Sequence, residues 1–188
     1  MGVVRKIAVL AVLALALVAA GCGSSSSSSG SGSTAGSQGG PTTVALPGAQ
    51  PSASSKMICS KEAVTDIAAS LGVSAKVSTP TWVNHVYACN YVYPQGTIKL
   101  SVKELESQQA VAALYSQDAK TFGRRPDVVS FGQGAFITTN GSVIVRKDNK
   151  VLDIDVSGIP QKFGAPPQDR SNVALSIAAT VMSCWTGA

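Results

Sequence analysis

Residues 135–156 read AFITTNGSVIVRKDNKVLDIDV, three short runs of alternating apolar and polar residues separated by Asn140-Gly141 and Asp148-Asn149. Alternation with a period of two marks strands that bury one face, and Asn, Asp and Gly tolerate the positive φ of a tight hairpin turn. The stretch is therefore expected to be a three-stranded antiparallel meander. Two-residue turns set Phe136 opposite Val145, Val145 opposite Leu152 and Val143 opposite Ile154 on a core face. Ile137, Ile144, Arg146, Asp153 and Asp155 then share the other face.

Upstream, Val86 to Tyr93 and Thr97 to Lys103 alternate in the same way around Pro94-Gln95-Gly96, a hairpin composition. Ile98, Leu100 and Val102 are the expected buried face of the second of these strands. A further short run follows at Val128 to Phe131. Three segments have helical spacing instead. Ser60 is placed as an N-cap ahead of Val64, Ile67, Ala68 and Leu71, with Gly72 as the stop. Val111, Leu114, Tyr115 and Phe122 mark a second helix within Glu104 to Phe122, ended by Gly123 and Pro126. Val173, Ile177, Val181 and Cys184 form the stripe of a third, over Asp169 to Trp185. The order α-β-β-α-β-β-β-β-α predicts an α+β domain: an antiparallel sheet, hairpin plus three-stranded meander, packed against helices on one face.

The chain before this region has a different composition. Arg5 and Lys6 precede an apolar run from Ile7 to Ala20, the order of a signal peptide. Fourteen residues rise about 21 Å as a helix, short of the roughly 30 Å of a bilayer's hydrocarbon core. The run ends Val18-Ala19-Ala20-Gly21-Cys22, similar to the bacterial lipobox, in which the cysteine thiol receives diacylglycerol. The expectation is a signal peptide over 1–21 and lipidation at Cys22, with acyl chains holding the protein at the cell membrane on its extracytoplasmic face. Gly23 to Ser55 is Gly, Ser, Thr, Ala, Gln and Pro with almost no large apolar residue, so 22–55 reads as a disordered tether spanning about 30 Å. Thr42, Thr43 and the serines beside its prolines are candidate sugar acceptors, with an unmodified spacer as the leading expectation. One folded extracytoplasmic domain remains at 56–188.

The formal charge of +5 falls to +3 once Arg5 and Lys6 are removed. Lys and Arg are not clustered with aromatic residues, which excludes a nucleic-acid binder. Cys59, Cys89 and Cys184 remain in a compartment that permits disulfides, and one is left over. A Cys59 to Cys89 bond would tie the start of the first helix to the first strand; pairing of Cys184 with either one stays open. Cys184, on an apolar stripe, reads as a buried thiol rather than a nucleophile. His85 is the only histidine, so neither a metal site nor a Cys-His pair is expected, and no cofactor motif is present. Tyr87, Tyr91 and Tyr93 share a strand face and are expected to pack beneath a helix. Asp153 and Asp155 are the one candidate acid/base pair, set diagonally from Arg146.

With the lipobox, the Gly/Ser tether, Cys59 and Cys89, Trp82, the Phe131-Gly132-Gln133-Gly134-Ala135-Phe136 turn and the closing Cys184-Trp185, the chain resembles small cell-envelope lipoproteins of actinobacteria, in domain families of unknown function. That resemblance implies an early cysteine pair and a glycine-rich turn before a β meander. It implies no activity, and Cys184 departs from the two-cysteine pattern.

No catalytic constellation is present, so a non-enzymatic binding or adaptor domain of the envelope is the leading expectation, with an envelope protein as partner. The meander's outer face, with Ile137 and Ile144 rimmed by Arg146, Asp153 and Asp155, is the candidate partner surface. A carrier for a hydrophobic small molecule would need a dry cavity between sheet and helices. A hydrolase would need Asp153 and Asp155 to face a cleft.

Overall fold

The computed structural model describes residues 47–185, with side chains described outside 124–129. The signal peptide, Cys22, most of the tether, and the Arg124-Arg125 and Val128 side chains lie outside the described residues.

Among the described residues four helices, α1 (Ala53–Met57), α2 (Lys61–Leu71), α3 (Gln108–Phe122) and α4 (Arg170–Cys184), accompany ten strands. These are β1 (Lys76–Val77), β2 (Thr81–Val83), β3 (Val86–Tyr93), β4 (Gly96–Glu104), β5 (Gly123–Val129), β6 (Gly134–Thr138), β7 (Val143–Lys147), β8 (Lys150–Gly158), β9 (Lys162–Phe163) and β10 (Gln168–Asp169). The α+β class and the antiparallel pairing agree with the sequence pattern. β1 to β8 form one sheet in the order β1-β3-β4-β8-β7-β6-β5, with β2 beside β1 on the outer edge of β3, and β9 and β10 form a separate ribbon. β4 joins the hairpin to the meander by pairing with β8, so Lys99 lies opposite Asp155 and Ser101 opposite Asp153.

Local chemistry sets the ends of α2 as the spacing predicted. Ser60 Oγ accepts the Ala63 N–H, satisfying one of the helix's free donors, and Gly72 leaves it at φ +66°. A Cβ at Gly72 would lie 2.0 Å from the Ala165 carbonyl oxygen, so backbone approach as well as φ requires glycine here. Ile67 and Leu71 of α2 and Val173, Ile177 and Val181 of α4 pack onto Leu100, Val102, Val143, Val145, Leu152 and Ile154, and every one of these is at most 1% exposed. This is the inner face and the main core. Tyr91 and Tyr93 lie within it as expected, with Tyr91 donating to the Ile58 carbonyl at 2.7 Å.

Four features differ from the sequence reading. First, helices lie on both faces of the sheet: α3 packs Val111 and Tyr115 onto Phe136, Ile144 and Val151, covering part of the outer side. Second, the β6–β7 register is Ala135 with Val145, Phe136 with Ile144 and Ile137 with Val143, one residue from the expected pairing. The loop is three residues long, Thr139 to Gly141, closed by Thr138 N–H to Ser142 O at 2.8 Å with Gly141 at φ +93°. A one-residue slip exchanges faces: Phe136 lies under α3, and Ile137 faces the inner core. The β7–β8 register is the expected one, with Val145 opposite Leu152 and Val143 opposite Ile154. Third, Glu104 ends β4, and α3 begins only after Ser107, whose hydroxyl accepts the Ala110 N–H. Fourth, the folded part reaches back into the stretch read as tether. Pro51, Ser54 and Ser55 are buried, and Ser52 caps α1.

Candidate functional site

Side-chain alternation places Val86, Ala88 and Asn90 of β3, Lys99, Ser101 and Lys103 of β4, Val151, Asp153 and Asp155 of β8, and Ile144 of β7 on the outer face. α3 covers only the β6–β8 half. The β3–β4 half is bare, and Val92 at its end is 45% exposed. Two openings flank the central β4–β8 pair. One, about 510 Å³, is lined by Ser78, Thr79, Val83, Val86, Ala88 and Asn90. The other, about 310 Å³, lies where α3 meets the sheet and is lined by Asp118, Phe122, Thr138, Asn140, Asp153 and Asp155. Lys99 borders the first and stands across from Asp155 of the second.

Asp118 is the member of this acidic cleft that the sequence reading missed. It falls on the same helical stripe as Val111, Tyr115 and Phe122, at spacings of four, seven and eleven, where an apolar residue would be expected. A charged residue on a stripe that faces a sheet was the available signal.

The two cleft aspartates of β8 have different surroundings. Asp155 Oδ1 accepts the Ser157 N–H at 2.9 Å and the Ser142 hydroxyl at 3.2 Å. Burial pushes its carboxyl up, but these bonds and the Lys99 charge outweigh burial and leave it below the ordinary carboxylate value. Asp153 has no side-chain hydrogen bond among the described residues. Burial first, and then the charges of Asp155 and Asp118, push its carboxyl up to about 6 against the pull of Lys99. Burial likewise raises Asp118, opposed by Lys103. Among the described residues none of the three carboxylates has a salt-bridge partner. One group held protonatable near neutrality beside one held charged is an arrangement that can move a proton.

The expected partner surface does not form. Ile144 is 7% exposed beneath α3, and Ile137 lies on the opposite face, so the two do not stand side by side in solvent. Arg146 does stand diagonally from Asp153, opposite Val151, but among the described residues it forms no ion pair with it: its guanidinium sits 4.9 Å over the Tyr115 ring, and its Nε donates to the Gln133 carbonyl at 2.9 Å. Asp153 and Asp155 do share the outer face, as expected, and line its cleft.

Cys59 and Cys89 are joined by a disulfide, with Cα atoms 6.1 Å apart. His85 occupies a two-residue turn with Asn84, both at positive φ (60° and 51°), and its ring meets Trp82 edge-on at 5.7 Å. Sequence reading placed His85 before a strand but missed β2 and this hairpin. Cys184 is half-buried and is not a free thiol, so it is not the buried leftover thiol expected; it comes within 4.8 Å of Glu62 and Asp66, the one such group of three among the described residues, but it offers no thiolate to a metal. No helix among the described residues is long and apolar enough to cross a membrane. No family model, curated protein or solved structure matches the chain.

Proposed function

We propose that this is an exported, lipid-anchored envelope protein whose domain binds a ligand or partner in the open groove of its outer sheet face. The address rests on the lipobox sequence ending at Cys22. The binding reading rests on one observation: an antiparallel sheet closed on its inner face by α2 and α4 leaves half of its outer face bare, with openings of about 510 and 310 Å³ on either side of the Lys99–Asp155 pair. A fully covered sheet would offer no such groove. The carrier reading draws no support from the inner core, where Ile98, Leu100, Ile154 and Ile177 are 0% exposed and fill the space between sheet and helices.

A photo-crosslinking side chain at position 90, on the groove, is expected to yield a defined adduct in intact cells, whereas the same group at position 61, on the exposed side of α2, yields none. Equal labelling at both positions, or none at 90, contradicts the groove as the binding surface.

A second reading, a hydrolase with Asp153 as general acid and Asp155 as its charged partner, is favoured by the cleft they share and by their opposite displacements from the ordinary carboxylate value. A hydrolytic activity lost in both Asp153→Asn and Asp155→Asn would establish it. Retention of that activity in either variant would remove it.

A further inference from the structure

The chain that leads back to Cys22 leaves the domain beside one hairpin. Trp82 of β2 donates its indole N–H to the Ala49 carbonyl at 3.0 Å, and Ser52 is held by Glu104 at the adjoining end of β4. The hairpin is fixed in place: Asn84 and His85 turn it at φ 51° and 60°, and the His85 carbonyl accepts the Glu104 N–H at 2.9 Å. Val83, the residue before the turn, is 61% exposed, more than any other large apolar residue among those described. On the outer face a row runs from Val83 through Val86 to Lys103, which sets Lys103 about 10 Å from Val83. Lys103 and Lys56 of α1 are exposed, and among the described residues neither makes an ion pair. Of the two carboxylates that follow Lys103, Glu104 is buried against Ser52 and Ser55, and Glu106 is exposed.

We propose that this hairpin is a membrane-contact site, whose tip enters the headgroup layer of the bilayer that carries the chain's own anchor, with Lys103 and Lys56 turned to anionic phospholipid. An indole and an aliphatic side chain at a turn gain from leaving water for that layer, and each lysine near an anionic surface strengthens contact about fivefold. Such a tip binds weakly by itself. Residues 23–46 keep it within about 30 Å of the anchor, an effective concentration at which a weak contact suffices. Asn90 and Lys99, about 13 Å further along the strands, stay clear for the ligand of the groove. The inference rests on the anchored address and adds an orientation of the domain on its membrane.

A diazirine side chain at position 83 tests it, in the full chain purified from membranes and reconstituted in vesicles of phosphatidylcholine and phosphatidylglycerol. Lipid adducts are expected from position 83, and several-fold fewer from position 92, where Val92 is also exposed on the same face but about 20 Å along β3. Lys103→Gln should lower the yield at 83 about fivefold, and vesicles of phosphatidylcholine alone should lower it at least as much. Equal yields at 83 and 92, no lipid adduct at 83, or a yield indifferent to both Lys103→Gln and phosphatidylglycerol would each overturn the contact. So would intact cells in which position 83 labels protein and no lipid. The mass of the peptide that begins at residue 22 reports the anchor separately. A chain without diacylglycerol that still labels lipid from position 83 removes the anchor and keeps the contact; an acylated chain that labels none keeps the anchor and removes the contact.

Discussion

Ser55 donates its hydroxyl to Glu104 Oε1 at 2.5 Å, across 49 positions of sequence, and so fastens the end of the tether to the last residue of β4. The same oxygen accepts the Ser52 N–H at 2.8 Å and the Ser52 hydroxyl at 2.7 Å, beside the buried Lys150. Burial raises the Glu104 carboxyl, and these bonds with Lys150 more than reverse the effect. Glu104→Gln, which keeps the shape and removes the charge, is expected to destabilise the domain by about 1–3 kcal/mol in chemical denaturation. It should also open 47–57 to proteolysis. An unchanged midpoint would show that the fastening contributes nothing.

Ile144→Asp probes the second core. With Ile144 packed beneath Tyr115 and against Phe136, the substitution places an unpaired carboxylate in an apolar contact already close to Asp153. A loss of about 3–5 kcal/mol is expected. Full stability of the variant would mean that α3 does not cover this strand.

The Asp153 carboxyl, pushed up to about 6, stabilises the fold most fully below the ordinary carboxylate value, and that contribution is lost as pH rises through about 6. Glu104 and Asp155 are displaced downward and act oppositely, losing their contribution as pH falls through their lowered values. Stability should therefore peak in mildly acid solution, and Asp153→Asn should gain about 2 kcal/mol at pH 7.5 with little change at pH 4.5. Denaturation curves at the two pH values read this directly, and an equal effect of the substitution at both would contradict it.

The Cys59–Cys89 bond closes a loop with a sequence separation of 30 residues. In the chain-entropy model its loss in a Cys59→Ser, Cys89→Ser double variant costs about 3–4 kcal/mol. A midpoint within error of the parent would indicate that the oxidised and reduced unfolded chains are equally restricted.

The elements themselves were legible because each has a periodic signal: Ser60 and Gly72 frame α2, and Ile98, Leu100 and Val102 face inward from β4. The register of one hairpin was not. Asn140-Gly141 has the composition of a two-residue turn, yet the Asn140 side-chain Oδ1 accepts the Ser142 N–H at 3.0 Å and the Thr138 hydroxyl at 2.6 Å, which stabilises a longer loop and leaves only Gly141 at positive φ. Residue types do not distinguish these loop lengths, and the one-residue difference moved Phe136 and Ile137 to opposite faces. Periodicity also shows which stripe of a helix is apolar but not which side of a sheet it covers. For this reason the pattern places the helices on one face of the sheet and leaves open whether any segment covers Ile144. Asp118 joined the site only through the fold, since 35 positions separate it from Asp153.

The anchored address is tested most directly at the N-terminus. Mass spectrometry of the N-terminal peptide of protein extracted from membranes, digested without reduction, is expected to show a chain beginning at Cys22 with diacylglycerol on its sulfur. Cys22→Ser should release the domain from the membrane fraction. With Cys59 and Cys89 joined to each other, Cys184 is the one other cysteine to which Cys22 could be bridged, and a Cys22–Cys184 peptide or an unmodified N-terminal cysteine would contradict the lipoprotein reading.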